Sequence, residues 1–269
     1  MLASAIATTA TYNTTLVYFQ HISNCESRDL VQQIFPFFKN KVPLINDRVA
    51  KHWANIGEAH STDYNSQVIV TGKNTTHAGY RQNWKYVQTK AELKAVKKAF
   101  QLSDVYRAHA YKELAKAQNA FSNTRLPVFI GVYARILNLQ EQSSREYGYN
   151  MAPQTFYRKA FEAAQQRSSD RNLIFIIVSD SIKEAKALLS NMTAEFKIYF
   201  SSSSEVEDFA TLSVCHHSIT TGGTFGYWAA LLAGGTTFYF SEFATPGSEF
   251  AKYFNNDNFY RPEWISIGH

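Results

Sequence analysis

The chain has 269 residues, of which 45% are hydrophobic and 15% aromatic, and its formal net charge is +5. This size and apolar content suffice for one large domain or two modest ones and argue against a disordered chain. The basic residues are scattered, which favours solvated helix faces over a nucleic-acid-binding patch. No apolar run has the length of a membrane span.

The first part of the chain is predicted to alternate helices and strands. Apolar spacing predicts four helices (1–12, 29–35, 90–100 and 103–120, the last capped by Ser103) and two strands (15–19 and 67–72). A polar break, Ser122-Asn123-Thr124-Arg125, follows. We place the domain boundary there, which predicts an N-terminal domain over residues 1–122 and a C-terminal domain over residues 123–269.

The second part of the chain predicts a mostly parallel sheet. Three apolar runs (126–134, 173–178 and 196–200) have the composition of buried strands. Helical patterns separate them at 153–167, 182–189 and 206–212, and residues 140–150 are predicted to form a polar loop. Because strands and helices alternate, we expect an α/β fold.

The segment Ser213–Gly235 predicts a strand, a loop of small residues, a helix and a glycine stop, and Thr237–Phe240 follows as a strand. The loop-to-helix corner is Thr220-Thr221-Gly222-Gly223-Thr224. The first N–H groups of a helix have no partner inside the helix, and together with the helix dipole they favour a bound phosphate. The sequence therefore predicts a phosphate-binding corner here.

Polar residues also follow two other predicted strands. Arg135 comes after the strand that begins the second part, and Asp180 comes after the apolar run 173–178. Ligands of parallel α/β sheets bind at the carboxyl ends of the strands. We therefore expect Arg135, Asp180 and Thr220-Thr221 to lie at adjacent strand ends and to form one site.

The same corner carries a family resemblance. Cys215-His216-His217-Ser218-Ile219, followed by Gly223-Thr224-Phe225-Gly226 and Trp228-Ala229-Ala230, resembles the C-terminal motif of the alpha-1,2-fucosyltransferases. Asp208-Phe209-Ala210 upstream and Pro262-Glu263-Trp264 downstream keep the family's order.

The resemblance implies a GT-B-like α/β fold with two Rossmann-like domains. It implies that the corner holds the pyrophosphate of GDP-fucose and that the acceptor is a galactose-terminated glycan. It implies no metal and no cofactor, since a basic side chain and helix-end N–H groups neutralise the diphosphate. Relatives are anchored in the Golgi membrane with a lumenal catalytic part. The chain begins at the Met that follows the family's first glycine-rich loop, so we expect an incomplete N-terminal domain and an anchor outside this sequence.

The family's arginine motif is only partly present. Gly131-Val132 and Arg135 match the family pattern, whereas Tyr133 replaces its histidine, Ile136 its second arginine and Asn138 its acidic residue. An isoleucine cannot make the bidentate phosphate contact of a guanidinium. A catalytically inactive homologue that binds nucleotide or glycan is therefore the alternative to an active fucosyltransferase, and no general base is assigned.

Seven residues are predicted to bind the donor: Arg135, Asp180, Asp208, Thr221, Gly223, Thr224 and Phe225. Five of them have a structural alternative. Arg135 can be a surface ion-pair partner, Asp180 and Asp208 can cap helices, Thr224 can cap the motif helix while binding phosphate, and Phe225 can be a core residue.

The remaining residues of interest have structural interpretations. His216 and His217 are neighbours on a predicted strand and point to opposite faces, so structural roles are favoured over a shared metal. Cys215 is expected to be a buried thiol in that strand, and a disulfide with Cys25 stays open.

Overall fold

The computed structural model describes residues 7, 18–19, 31–42, 44–45, 53–56, 62, 64, 75–77, 82–121, 125–168 and 172–268. These residues form helices that we number in chain order: α1 Pro36–Lys41, α2 Lys90–Ala99, α3 Asp104–Ala120, α4 Gln142–Tyr147, α5 Gln154–Arg167, α6 Ile182–Leu189, α7 Glu205–Ser213, α8 Gly223–Ala233 and α9 Asn256–Phe259. The strands are β1 Tyr18–Phe19, β2 Leu44–Ile45, β3 Ala54–Ile56, β4 Thr75–His77, β5 Val128–Ala134, β6 Leu173–Ser179, β7 Ile198–Phe200, β8 His217–Thr220, β9 Thr237–Phe240 and β10 Ile265–Ile267.

The chain divides into two compact units. The first comprises Met1–Ser103 with Tyr253–Arg261, and the second comprises Asp104–Lys252 with Pro262–His269. Among the described residues, no helix combines the length and apolarity needed to cross a bilayer.

The first unit contains two short parallel pairs, β1 with β2 and β3 with β4. Helix α2, predicted over residues 90–100, is confirmed, and it begins with a capping box in which Thr89 and Glu92 exchange hydrogen bonds. The predicted helix 1–12 lies outside the described residues except for residue 7, and the predicted strand 67–72 lies entirely outside them.

The second unit contains a six-stranded, all-parallel sheet in the order β10-β9-β8-β5-β6-β7. The predicted α/β fold with a parallel sheet is confirmed. The first strand of this sheet along the chain is β5, in the middle. The chain then runs outward through β6 to β7 and returns to β8 on the other side of β5. The strand order therefore reverses between β5 and β8, and this is the position where parallel sheets bind ligands.

Strands β5 and β6 are almost entirely buried, because helices pack on the parallel sheet. The ring of Phe161 on α5 stacks on Phe175 of β6 with centroids 3.9 Å apart. Phe156, five residues earlier on the same helix, meets Phe240 of β9 edge-on at 5.2 Å. These contacts anchor α5 to β6 and β9.

Helix α3 belongs to the second unit, whereas the sequence-based boundary after residue 122 assigned it to the first. Its buried residues Leu114 and Ala117 pack against Phe129 of β5 and Ile174 and Ile176 of β6. Apolar packing against the sheet, which local sequence does not reveal, determines where this helix belongs.

Two predicted segments are wrong. Residues 140–150 form no simple polar loop, because they contain α4, which ends at Gly148 with φ 112°. Strand β8 begins at His217, whereas Ser213 still belongs to α7. Cys215 lies between the two elements, where its buried thiol donates to the carbonyl of Thr211.

Candidate functional site

The candidate site lies at the carboxyl ends of β5, β6 and β8. Register pairs Ala134 of β5 with Ser179 of β6, and Tyr133 of β5 with Thr220 of β8. The three strands therefore end at nearly the same level. The prediction that Arg135, Asp180 and Thr221 follow adjacent strand ends is confirmed.

Thr221 fixes the backbone of Arg135. Its fully buried Oγ1 accepts a hydrogen bond from the Arg135 N–H at 2.9 Å and donates to the carbonyl of Tyr133 at 3.1 Å. The hydroxyl thus uses its donor and an acceptor position inside the protein. We interpret Thr221 as a residue that positions Arg135.

Asp180 holds the next two residues from the other side. Its Oδ1 accepts the N–H of Ile136 at 2.7 Å and the N–H of Leu137 at 3.1 Å. The alternative in which Asp180 caps α6 is wrong, because Ser181 occupies the N-cap position of that helix. Residues after β5 are therefore held by both flanking strand ends.

The guanidinium of Arg135 lies at the start of α8. A Cβ placed on Gly223 would lie 2.6 Å from Arg135 Nη1. The Arg135 Cζ lies 5.7 Å from the ring centroid of Tyr149 and 5.8 Å from that of Phe243. Arg135 makes no salt bridge with a carboxylate in the described part of the chain, so the ion-pair alternative gains no support.

The start of α8 carries no side-chain cap. Gly222 is the N-cap, at φ 126°, and Gly223 follows at φ 77°. The prediction that Thr224 caps this helix is therefore wrong, although its half-buried side chain lies in the first turn. An uncapped helix start presents N–H groups and the positive end of the helix dipole to a ligand.

Phe225 packs in the core beside the site. Its ring lies 4.9 Å from that of Tyr133 and 5.3 Å from that of Phe209. Burial raises the pKa of Tyr133 to about 12, and the Asp180 carboxylate adds to this shift. Tyr133 therefore stays protonated at neutral pH, and its ring supports the start of α8.

Asp208 lies on α7, the helix that follows β7. Its carboxylate is 7% exposed and accepts a hydrogen bond from Ser201. The cap alternative for Asp208 is wrong, because Ser204 caps α7 through a capping box with Glu207. Burial, together with the charges of Glu113 and Glu207, raises the pKa of Asp208 to about 6, although the Ser201 bond opposes the shift.

The two histidines before and at the start of β8 each accept a backbone hydrogen bond. The Nδ1 of His216 accepts from Phe129 N–H, and the Nδ1 of His217 accepts from Thr236 N–H, both at 3.0 Å. The structural roles predicted for these histidines are confirmed.

Sequence reasoning missed Tyr149 and Phe243. Both come from loops, one after α4 and one after β9. No periodic pattern marks either ring, and only the structure brings them to Arg135.

The fold and site together define a parallel α/β protein in which a guanidinium and an uncapped, glycine-rich helix start meet at the reversal of the strand order. The sequence profile of Glycosyl transferase family 11 matches residues 27–268, and the chain belongs to this family.

The relatives are fucosyltransferases. Over 194 residues the chain is 28% identical to galactoside alpha-(1,2)-fucosyltransferase 1 of Homo sapiens, covering 71% of this chain and 52% of that protein. It is 29% identical over 195 residues to galactoside alpha-(1,2)-fucosyltransferase 1 of Rattus norvegicus, covering 71% of this chain and 50% of that protein. The chain spans about half the length of the curated relatives it matches.

Among solved structures, NodZ alpha-1,6-fucosyltransferase soaked with GDP-fucose aligns at 17% sequence identity over 86% of each chain, with a TM-score of 0.49.

Proposed function

We propose that the chain binds GDP-fucose at the reversal between β5 and β8 and transfers the fucosyl group to a glycan. The membership of Glycosyl transferase family 11 and the names of the relatives support this class of reaction. The observation that carries the proposal is the Arg135 guanidinium at the glycine-rich start of α8, where no described carboxylate neutralises it.

A cation beside the positive end of a helix is electrostatically unfavourable by itself. An anion that binds both the guanidinium and the helix-end N–H groups removes this penalty. The diphosphate of a sugar nucleotide is such an anion. It is also the leaving group, so negative charge develops on it as fucose is transferred. Arg135 and the N–H groups of α8 then stabilise the charge that develops on the leaving group.

Asp208 is the proposed contact to the nucleoside end of the donor. A buried carboxylate with acidic neighbours is costly to keep in a fold. Such residues concentrate at functional sites. Asp180, Thr221 and Gly223 shape the corner, and Thr224 offers a hydroxyl to the phosphates.

The finer assignment follows the alpha-1,2-fucosyltransferase resemblance. We propose that the acceptor is a terminal galactose, that transfer inverts the anomeric carbon and that no metal participates. We also propose a GT-B-like fold in which the N-terminal part of the chain that precedes α3 contributes to the acceptor side, and a lumenal Golgi location.

Calorimetry with GDP and GDP-fucose, followed by a transfer assay on a β-galactoside, tests the proposal. Wild-type protein should bind both nucleotides and transfer fucose. Arg135→Ala should weaken GDP binding by roughly 10- to 100-fold, since it removes a charge-assisted contact. Arg135→Lys should recover only part of the loss, because an ammonium lacks the planar fork.

The matched control is Arg158→Ala. Arg158 is also an arginine of the second unit, but it forms an ion pair with Glu195 on the surface. Equal losses in the Arg135 and Arg158 variants would contradict the site. Binding of GDP without transfer would point to the inactive homologue, and failure of the wild type to bind GDP would overturn the proposal.

A further inference from the structure

The Arg135 guanidinium is held by two aromatic rings that the chain contributes from separate loops. Its Cζ lies 5.7 Å from the centroid of Tyr149 and 5.8 Å from that of Phe243. The two rings are 5.5 Å apart and tilted by 52°. We propose that Phe243 and Tyr149, here called the aromatic clamp, are positioning residues that aim Arg135 at the donor diphosphate.

The loops that carry the clamp are tied together by their backbones. Asn150 N–H donates to the carbonyl of Phe243 at 2.8 Å, and Thr245 N–H donates to the carbonyl of Gly148 at 2.9 Å. Tyr149 and Ala244 form an antiparallel bridge between these bonds. The two rings are therefore fixed relative to each other before any ligand arrives.

A third ring packs beside the two clamp rings and serves as the packing control. Phe250 lies 4.1 Å from Tyr149 and 5.5 Å from Phe243, centroid to centroid. The guanidinium of Arg135 lies over the Tyr149 and Phe243 rings. Within the described part of the chain, Phe250 packs in this cluster, whereas the ring contacts of the Arg135 cation are to Tyr149 and Phe243.

The clamp also explains the two glycines at the start of α8. A Cβ on Gly222 would lie 2.5 Å from Cδ2 of Phe243, and a Cβ on Gly223 would lie 2.6 Å from Nη1 of Arg135. The helix start, the Phe243 ring and the guanidinium thus pack directly against one another. Only residues without a side chain allow this approach.

The physical reason for a clamp is the position of the cation. A guanidinium at a helix N-terminus is repelled by the helix dipole and would turn towards solvent if it were free. The negative faces of aromatic rings attract it and offset that repulsion. A guanidinium held in place does not have to be ordered when the anion binds, which improves affinity and transition-state stabilisation. Because this chain has Ile136 in place of a second arginine, diphosphate binding depends on the orientation of the single guanidinium of Arg135.

The inference rests on the proposed donor site, so its test has one arm that needs no ligand. In ligand-free protein, the NMR signal of the Arg135 Nε–H group, assigned with Arg135→Lys, should be shifted upfield by the rings. Phe243→Leu should lose part of that shift, because the Tyr149 ring remains, whereas Phe243→Tyr and the matched control Phe250→Leu should retain the full shift. Thermal denaturation of each variant checks that the fold is intact.

The second arm compares GDP with guanosine by calorimetry. Phe243→Leu should bind GDP roughly 3- to 30-fold more weakly, the equivalent of one cation–π contact, and bind guanosine as the wild type does. Phe243→Tyr should restore GDP binding and Phe250→Leu should leave it unchanged. If Phe243→Leu fails to fold, Tyr149→Leu replaces it, with Tyr149→Phe as the rescue.

The outcomes separate the two claims. An unshifted Arg135 signal in the wild type, or the same loss in Phe250→Leu as in Phe243→Leu, overturns the clamp. A wild type with a shifted signal that binds no GDP overturns the proposed function and leaves the clamp as a structural fact. Equal weakening of GDP and guanosine would show a general packing defect and would also overturn the clamp.

Discussion

The N–H of Arg135 donates a hydrogen bond of 2.9 Å to Thr221 Oγ1, which joins the first residue after β5 to the first residue after β8. On the other side, Asp180 accepts the next two backbone N–H groups. The direction in which Arg135 leaves the sheet is therefore set by side chains of both neighbouring strand ends.

Replacing Thr221 by valine should destabilise the protein and weaken GDP binding. The change leaves the part-buried Arg135 N–H without its acceptor, which costs about 1–3 kcal/mol of unfolding free energy. The control is Thr220→Val, because Thr220 Oγ1 is buried and has no hydrogen-bond partner among the described residues. Removing that hydroxyl should be neutral or stabilising.

Urea unfolding of the two variants and GDP calorimetry measure these effects. The interpretation fails if the Thr220 and Thr221 variants lose equal stability, or if Thr221→Val binds GDP as tightly as the wild type.

Replacing Gly222 by alanine should cost more stability than replacing Gly247. Both glycines have positive φ, 126° and 79°. At Gly247 a Cβ would meet nothing within 4 Å, so the cost is backbone strain of about 1 kcal/mol. At Gly222 the Cβ would collide with the Phe243 ring, and the cost should rise to about 3 kcal/mol.

Chemical denaturation of both variants checks this order, and GDP calorimetry adds a functional readout. Gly222→Ala should weaken GDP binding because it displaces Phe243, while Gly247→Ala should not. A Gly222 variant as stable as the Gly247 variant would show that the ring moves aside without cost.

The location of the site could be predicted from sequence, because it depends on local patterns. Strands β5 and β6 are largely buried apolar runs and β8 lies in the glycine-rich motif segment, and Arg135, Asp180 and Thr221 follow these strands directly. In a parallel sheet the carboxyl ends lie at one edge, so the order of residues along the chain predicts their meeting.

The partners of these residues could not be predicted, because they depend on tertiary packing. A local rule makes Asp180 a helix cap, yet its carboxylate reaches across to the backbone after β5. Tyr149 and Phe243 belong to loops that pair only in the folded unit. Helix α4 has no buried residue, so the sequence has no apolar periodicity from which this helix, or the position of Tyr149 after it, could be predicted.

His217 should make the fold sensitive to mild acid. Its Nδ1 accepts a hydrogen bond from Thr236 N–H, which requires the neutral ring, and burial, followed by the nearby His216, lowers its pKa. The unfolded chain therefore takes up a proton first as the pH falls below about 6.5. Stability that is present above this pH is lost as the pH falls through the lowered pKa of the folded state.

His217→Asn should flatten this dependence, since an amide oxygen can accept the same hydrogen bond and does not titrate. Guanidinium unfolding between pH 7 and pH 5 measures the slope for both proteins. Parallel slopes would rule out His217 as the source.

Asp208 should lower stability when the pH changes in the opposite direction, that is, as the pH rises. Burial raises its pKa to about 6 in the folded state, with Glu113 and Glu207 adding to the shift. The folded protein therefore binds this proton more tightly than the unfolded chain, and the free energy of unfolding falls as the pH rises from about 4 to about 6. Asp208→Asn should remove that fall and gain about 1–2 kcal/mol of unfolding free energy above pH 6, after allowance for solvent screening.

The same variant should bind GDP more weakly, because Asp208 is the proposed contact to the nucleoside. Unfolding curves from pH 4 to pH 8 with calorimetry at pH 7.5 test both effects together. If Asp208→Asn gains stability and keeps full GDP affinity, Asp208 does not contact the donor, because loss of a carboxylate that binds the nucleoside would weaken GDP binding.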